Sequence, residues 1–320
     1  MKPIQFSAAL PEVDVIPYTV VDPRLVEPVA VQVLDGATSY LNVAIGMHSG
    51  WRPLRVDVHQ PAGGDGPFPV VVYAHGGAFV GGVKEMGPWG SLPSRGIAVV
   101  SVEYRLAGEA RYPETVEDIV TAVRWVRAHA GAFRLDPERV AGWGSSAGGY
   151  LMGRAAVGAG DTGGRRIPEL AGYSAELDAV VLHYAASDLS DIVALAKSDP
   201  ALKDRVGPGI DLIYGRDLHA DDLPAIIEHG SVLRAVATAA RLPAFLLAHG
   251  DADRTVPVEQ SIQLRDAVRA RGGYCGLTIV PGQDHATAVF AEPEIVEPTI
   301  EFLFAAWAGQ LPPATDGVRS

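Results

Sequence analysis

The sequence predicts an α/β fold: a mostly parallel central sheet flanked by helices, with a helical cap over one end of its strands. Three observations carry this. Short β-rich runs alternate with longer amphipathic segments along most of the chain. Several of the runs are nearly continuous in apolar residues, such as Val70-Val71-Val72-Tyr73, as strands covered on both faces must be. Residues 185–242 separate two of these runs by far more than the about 2–6 residues of an ordinary connection, which marks an inserted functional segment.

The elements follow in order. Strands are expected at 54–60, 70–75, 97–103, 139–144, 178–184, 243–249 and 275–280. After the third, Val116, Ile119, Val120, Val123 and Val126 fall on one side of a helix over 114–129. Pro113 stands just ahead of that helix, and Thr115 followed by Asp118 suggests a cap near its start. Further helices are expected at 147–157, 258–271 and 298–308. Residues 1–50 precede the first strand and are assigned, with 185–242, to the cap. The core of a single domain over 1–320 then runs through about 51–184 and 243–310.

Composition excludes several classes. The 320 residues carry a formal charge of -12, and a phosphate backbone demands a basic face, so no nucleic-acid partner is expected. The single cysteine, Cys275, rules out an internal disulfide framework and a thiolate metal cluster, and its place in a strand makes it a small buried hydrophobe. The first twenty residues lack the apolar block of a secretion signal, and no stretch approaches the about 20 apolar residues needed to cross a bilayer. A cytoplasmic protein with no membrane partner is expected.

The chemistry concentrates at strand ends. Gly144-Ser145-Ser146-Ala147-Gly148 fits G-x-S-x-G, a pattern that 36 glycines would produce by chance about 0.2 times in such a chain. Its context adds weight, because a strand ends at Gly144 and a helix begins at Ala147, which puts Ser146 on the sharp turn between them. The Ala147 amide, at the helix N-terminus, would face a developing oxyanion. Gly142-x-Gly144-x-x-Ala147 also fits a dinucleotide fingerprint. That reading needs an acidic residue ending a strand about 20 positions on, where the chain has a turn-rich loop instead. A nucleophilic serine needs a base, and His285 lies in the loop just past the last strand. The base needs a carboxylate, and the loop after the preceding strand offers Asp253 and, as the alternative, Asp251. Asp253 is preferred, with chain order Ser146, Asp253, His285. Finally, His75-Gly76-Gly77-Ala78-Phe79 ends a core strand in a glycine pair whose amides can turn toward a substrate oxygen.

Over roughly residues 52–310 the chain resembles the α/β-hydrolase superfamily, and within it the hormone-sensitive-lipase-like and feruloyl-esterase-like carboxylesterases. The resemblance rests on His75-Gly76-Gly77-Ala78-Phe79, Glu103-Tyr104-Arg105-Leu106, the run from Gly144 to Gly149, the segment from His249 to Pro257 with Gln260, and Gly282-x-x-His285. It implies an α/β-hydrolase fold with Ser146 as nucleophile, His285 as base and acid, and Asp253 as orienting carboxylate. It further implies oxyanion donors at the amides of Gly77, Ala78 and Ala147, with His75 and Gly76 supporting their loop. Ala78 and Ser145 depart from the lipase-like pattern without removing an amide. The expected reaction is hydrolysis of short to medium acyl esters through an acyl-serine, with no metal or organic cofactor. Alternatives are an arylformamidase or other amide, lactone or C–C hydrolase using the same residues, and a non-catalytic binding protein of the same fold. Trp51, Trp89, Phe79 and Tyr184 are candidate pocket residues or core packing, and a homodimer is a plausible assembly.

Overall fold

The computed structural model describes residues 29–48, 52–158 and 162–318. Among these residues ten strands form one sheet: β1 (Ala30–Val31), β2 (Ala37–Gly46), β3 (Leu54–Pro61), β4 (Phe68–Ala74), β5 (Ala98–Glu103), β6 (Leu135–Ser145), β7 (Ala179–His183), β8 (Ala244–Gly250), β9 (Cys275–Val280) and β10 (Asp316–Val318). Their spatial order is β1-β2-β3-β5-β4-β6-β7-β8-β9-β10. Pairing is parallel from β5 through β10 and antiparallel among β1, β2, β3 and β5.

Alternation along the buried strands feeds two cores. Val70, Val72 and Ala74 of β4 point to one face, and Val71 and Tyr73 to the other. The first face is covered by α1 (Glu114–Ala128), α2 (Ala147–Val157) and, beyond the inserted segment, the helix Glu259–Ala270. The second is covered by the last helix, Pro293–Trp307, through Val296, Ile300 and Leu303. The insertion supplies α3 (Leu189–Ser198), α4 (Pro200–Tyr214), α5 (Leu223–Gly230) and α6 (Val232–Thr238), so the two helices just named are α7 and α8. Asp188 and Asp199 start α3 and α4 by accepting from first-turn amides, as N-caps do. Among the described residues no helix is long and apolar enough to cross a membrane.

Three expectations need correction. Residues 30–46, expected in a cap, belong to the sheet as β1 and β2; residues 1–28, 49 and 50 lie outside the described residues. The alternation of β2 is hidden because Ser39 is one of its buried residues and a bulge at Asn42 (φ 57°) shifts the register between Tyr40 and Val43. Helix α8 starts at Pro293, and Pro298, expected at its start, stands inside it. The cap expected from Thr115 and Asp118 is absent: Pro113 precedes α1 without a side-chain cap, and buried Asp118 instead takes the backbone amide and guanidinium of buried Arg105.

Candidate active site

The strand order reverses around β4, which lies between β5 and β6 although it precedes both in the chain. Clefts at the carboxyl ends of such strands are where open α/β sheets bind ligands. Ala74 pairs with Gly144, so the loops after β4 and β6 emerge side by side.

Ser146 occupies the turn between β6 and α2 with φ 52° and ψ -121°. A non-glycine residue held there stores about 1–3 kcal/mol, and the surroundings must fix it. The Ser146 amide donates to the His183 carbonyl at 2.9 Å. Helix α2 rides so close over β4 that a Cβ on Gly148 would stand 2.2 Å from the carbonyl oxygens of Ala74 and His75. Only glycine fits, and the hydroxyl is left projecting above the sheet edge.

The loop after β4 lies against this turn: a Cβ on Gly76 would sit 3.2 Å from the Cβ of Ser146. Buried His75 stacks on Tyr104 with ring centroids 4.4 Å apart. Its Nδ1 lies 2.8 Å from the Gly76 carbonyl, which can only accept, so Nδ1 carries the proton. Burial lowers the imidazole pKa and keeps it neutral. The Tyr104 hydroxyl donates to the His75 carbonyl at 2.9 Å, which ties residues 103–106 to this loop. Gly77, Ala78 and Phe79 follow at φ 129°, 51° and 66°. Among the described residues, no hydrogen bond occupies the amides of Gly77 or Ala78. The Ala147 amide is the first of α2 and has no intrahelical partner.

The loops after β8 and β9, neighbours through Gly250 and Val280, bring in the other two side chains. Ser146 Oγ lies 2.8 Å from His285 Nε2, and His285 Nδ1 lies 2.7 Å from Asp253 Oδ2. A carboxylate only accepts, so Nδ1 bears the proton and Nε2 is free to accept from the serine hydroxyl. Of the two carboxylates left open, Asp253 reaches the imidazole, whereas Asp251 accepts the Gly282 amide at 2.6 Å. Asp253 Oδ1 accepts the amides of Thr255 and Val256, both at 2.8 Å. Burial alone would raise its pKa, but hydrogen bonds from His249 and His285 outweigh this and hold the carboxyl well below the usual range.

Sequence reasoning missed two interactions around this relay. His249, fully buried, places Nε2 3.2 Å from Asp253 Oδ2 and 2.8 Å from the Val256 carbonyl. Arg254 donates its amide to Asp284 Oδ1 at 2.9 Å and its Nε to Oδ2 at 2.7 Å, with Nη2 on the same oxygen. Arg254 follows Asp253 directly and His249 precedes it by four positions, but spacing does not show which side chains they reach.

Above Ser146 lies a pocket of about 430 Å³, part of it open to solvent. Ala78, Phe79 and Ala147 line it below, and Leu189, Ile192, Val206 and Ile210 of α3 and α4 line it from the cap. Phe79 is thus a pocket residue. Trp89 is core, stacked on His59 at 4.8 Å, and Tyr184 meets the His285 ring edge-on at 4.9 Å. Trp51 lies outside the described residues. Among the described residues no three His, Cys, Asp or Glu side chains group as a metal site would require.

Comparison with known proteins agrees with this architecture. Residues 56–268 match the BD-FAE family model. Esterase LipC of Mycobacterium tuberculosis is 32% identical over 227 residues, covering 68% of this chain and 53% of LipC. A probable isoprenylcysteine alpha-carbonyl methylesterase of Arabidopsis thaliana is 25% identical over 256 residues, covering 75% of this chain and 50% of that protein. The chain therefore spans about half the length of the curated relatives it matches. A truncated carbohydrate esterase from gut microbiota superposes with a TM-score of 0.75 at 22% identity, over 87% of this chain and 99% of its own. The family match covers most of the sheet and the whole cap insertion: this chain belongs to the BD-FAE family of the α/β-hydrolase superfamily.

Proposed function

We propose that the protein is a serine carboxylic-ester hydrolase acting on short to medium acyl esters through an acyl-serine intermediate. The observation that carries the reading is the continuous relay Ser146 Oγ, His285, Asp253, with links of 2.8 and 2.7 Å. His285 Nε2 takes the hydroxyl proton as Ser146 Oγ attacks the ester carbonyl, and Asp253 stabilises the imidazolium that forms. The amides of Gly77, Ala78 and Ala147 receive the oxyanion, and the same imidazolium protonates the departing alcohol. Water, deprotonated in turn by His285, then attacks the acyl-serine and releases the acid. Each oxyanion donor lowers the barrier by about 2.7–4 kcal/mol, and the base contributes about 10²–10⁴-fold.

The nearly apolar lining of the pocket over Ser146, with α3 and α4 on its cap side, suits an acyl chain of short to medium length. The names of the curated relatives, an esterase and a probable methylesterase, point the same way. The test is hydrolysis of p-nitrophenyl butyrate by the wild type and by Ser146→Ala. Turnover by the first and none by the second is expected, and undiminished turnover by Ser146→Ala would refute the proposal.

A further inference from the structure

We propose that Gly209, in the cap, is a positioning residue for the oxyanion-binding loop: helix α4 braces the peptide that follows Ala78. This deepens the esterase reading above and rests on it.

Two consecutive non-glycine residues of that loop, Ala78 and Phe79, hold φ of 51° and 66°, in the left-handed region that side chains disfavour. Such a pair persists only where the surroundings over-determine it. Phe79 is fixed on the core side: its carbonyl accepts the Ala107 amide at 2.7 Å, and its ring meets Tyr150 edge-on at 5.7 Å. The Gly77 carbonyl accepts the amides of Val80 and Gly81, both at 3.0 Å. Among the described residues, no hydrogen bond restrains the Ala78 carbonyl. It points at the cap, where a Cβ on Gly209 would stand 2.2 Å from its oxygen and 3.5 Å from the Ala78 Cβ. The backbone of α4 therefore lies directly on this peptide and bears, through the Ala78 Cα, on the preceding peptide that carries the Ala78 amide.

The helix carries an unusual composition at this point. Gly207-Pro208-Gly209 stands in the middle of α4, and each of the three disfavours a helix interior. A local rule broken where a helix faces a catalytic loop marks a functional constraint. Gly207 provides the internal comparison. A Cβ there would meet Leu218 and Lys203 side chains at 3.5 Å, an ordinary contact, and would not reach the loop.

Gly207→Ala and Gly209→Ala both place a methyl group in the middle of α4, the first also against the Pro208 ring, but only the second drives it into the Ala78 carbonyl. Each is compared with wild type for kcat and KM on p-nitrophenyl butyrate and for the rate of inactivation by a fluorophosphonate, whose phosphoryl oxygen needs the same amides. Rates are expressed per folded molecule, measured by near-ultraviolet circular dichroism. Gly209→Ala is expected to lower kcat about tenfold or more and to slow inactivation in parallel, because the donors no longer converge on the oxyanion. Its KM should move by less than about threefold, since the lost interaction belongs to the transition state. Gly207→Ala should match wild type. Equal kcat for the two variants would overturn the proposal. If Gly209→Ala folds poorly, adding Ala78→Gly decides: the freed backbone lets the peptide move aside, so kcat per folded molecule should recover severalfold, and no recovery would overturn the brace. A wild type that hydrolyses no ester would instead remove the underlying esterase reading, and the brace with it.

Discussion

His249 shares the carboxylate of Asp253 with His285: Nε2 of the first lies 3.2 Å, and Nδ1 of the second 2.7 Å, from the same Oδ2. The Val256 carbonyl, 2.8 Å from His249 Nε2, can only accept, so that nitrogen is protonated and donates toward Asp253 as well. His249 Nδ1 lies 2.7 Å from Ser261 Oγ. The Asp253 carboxylate is thus oriented by a buried imidazole whose own position α7 fixes through Ser261. His249→Leu strands the Val256 carbonyl and the Ser261 hydroxyl, which should cost about 1–3 kcal/mol in urea unfolding. Its kcat should fall less than that of Asp253→Asn, because Asp253 keeps its two backbone donors. A loss equal to that of Asp253→Asn would make His249 part of the relay.

Arg254 and Asp284 are sequence neighbours of Asp253 and His285, and their pairing joins the two loops. Arg254 is 75% exposed, so its removal should lower stability by no more than about 1 kcal/mol. Misplacing the imidazole is costlier, and Arg254→Ala should lower kcat by up to about 10²-fold. If the clamp acts as a unit, Arg254→Ala/Asp284→Ala should be no worse than the more damaged single variant. Hydrogen bonds from the amide and guanidinium of Arg254 and from the His285 amide hold the Asp284 carboxyl down to about 2. Its stabilisation is therefore fully present above the unfolded value of about 3.9 and is lost as pH falls through about 2. The Arg254→Ala stability deficit should accordingly persist unchanged from pH 8 to pH 5.

Two other buried histidines contribute to the acid sensitivity of the fold. Burial lowers the pKa of His59 to about 4 and that of His183 to about 3. Between these values and the unfolded value of about 6.5 the unfolded chain binds protons that the folded one refuses, so stability falls as pH falls. Each contributes a slope of about 1.4 kcal/mol per pH unit within that window and none above it. Urea midpoints at pH 7.5 and 5.0 test this, and His183→Phe should remove one histidine's share of the difference.

The cap wall of the pocket should set acyl length. Val206 and Ile210 of α4 close it opposite Ser146, and each methylene buried there is worth about 0.8 kcal/mol. Val206→Phe should raise KM for p-nitrophenyl octanoate relative to acetate about tenfold or more, with acetate turnover unchanged. A chain-length series on both proteins checks it.

Much of this was legible in the sequence because it is local. Val70-Val71-Val72-Tyr73 names its strand by composition, and the serine turn by the strand before and helix after it. The three relay residues could be proposed because each follows a strand, and strand ends share one edge of a parallel sheet. The hidden parts depend on tertiary context. Strand β2 loses its alternation to Ser39 and the bulge at Asn42. Helix α4 hides behind Gly207-Pro208-Gly209, of which only Gly209 meets the Ala78 carbonyl, a contact that the fold alone creates. Asp253 could not be separated from Asp251 by spacing, because only the fold turns one toward His285 and the other toward the Gly282 amide.

The central claim is that His285, oriented by Asp253, activates Ser146. Labelling with a fluorophosphonate followed by peptide mass mapping tests it most directly. One adduct on Ser146 is expected, forming at least about 10²-fold more slowly in His285→Ala. An adduct on another residue, or labelling of Ser146 at an unchanged rate without His285, would contradict it.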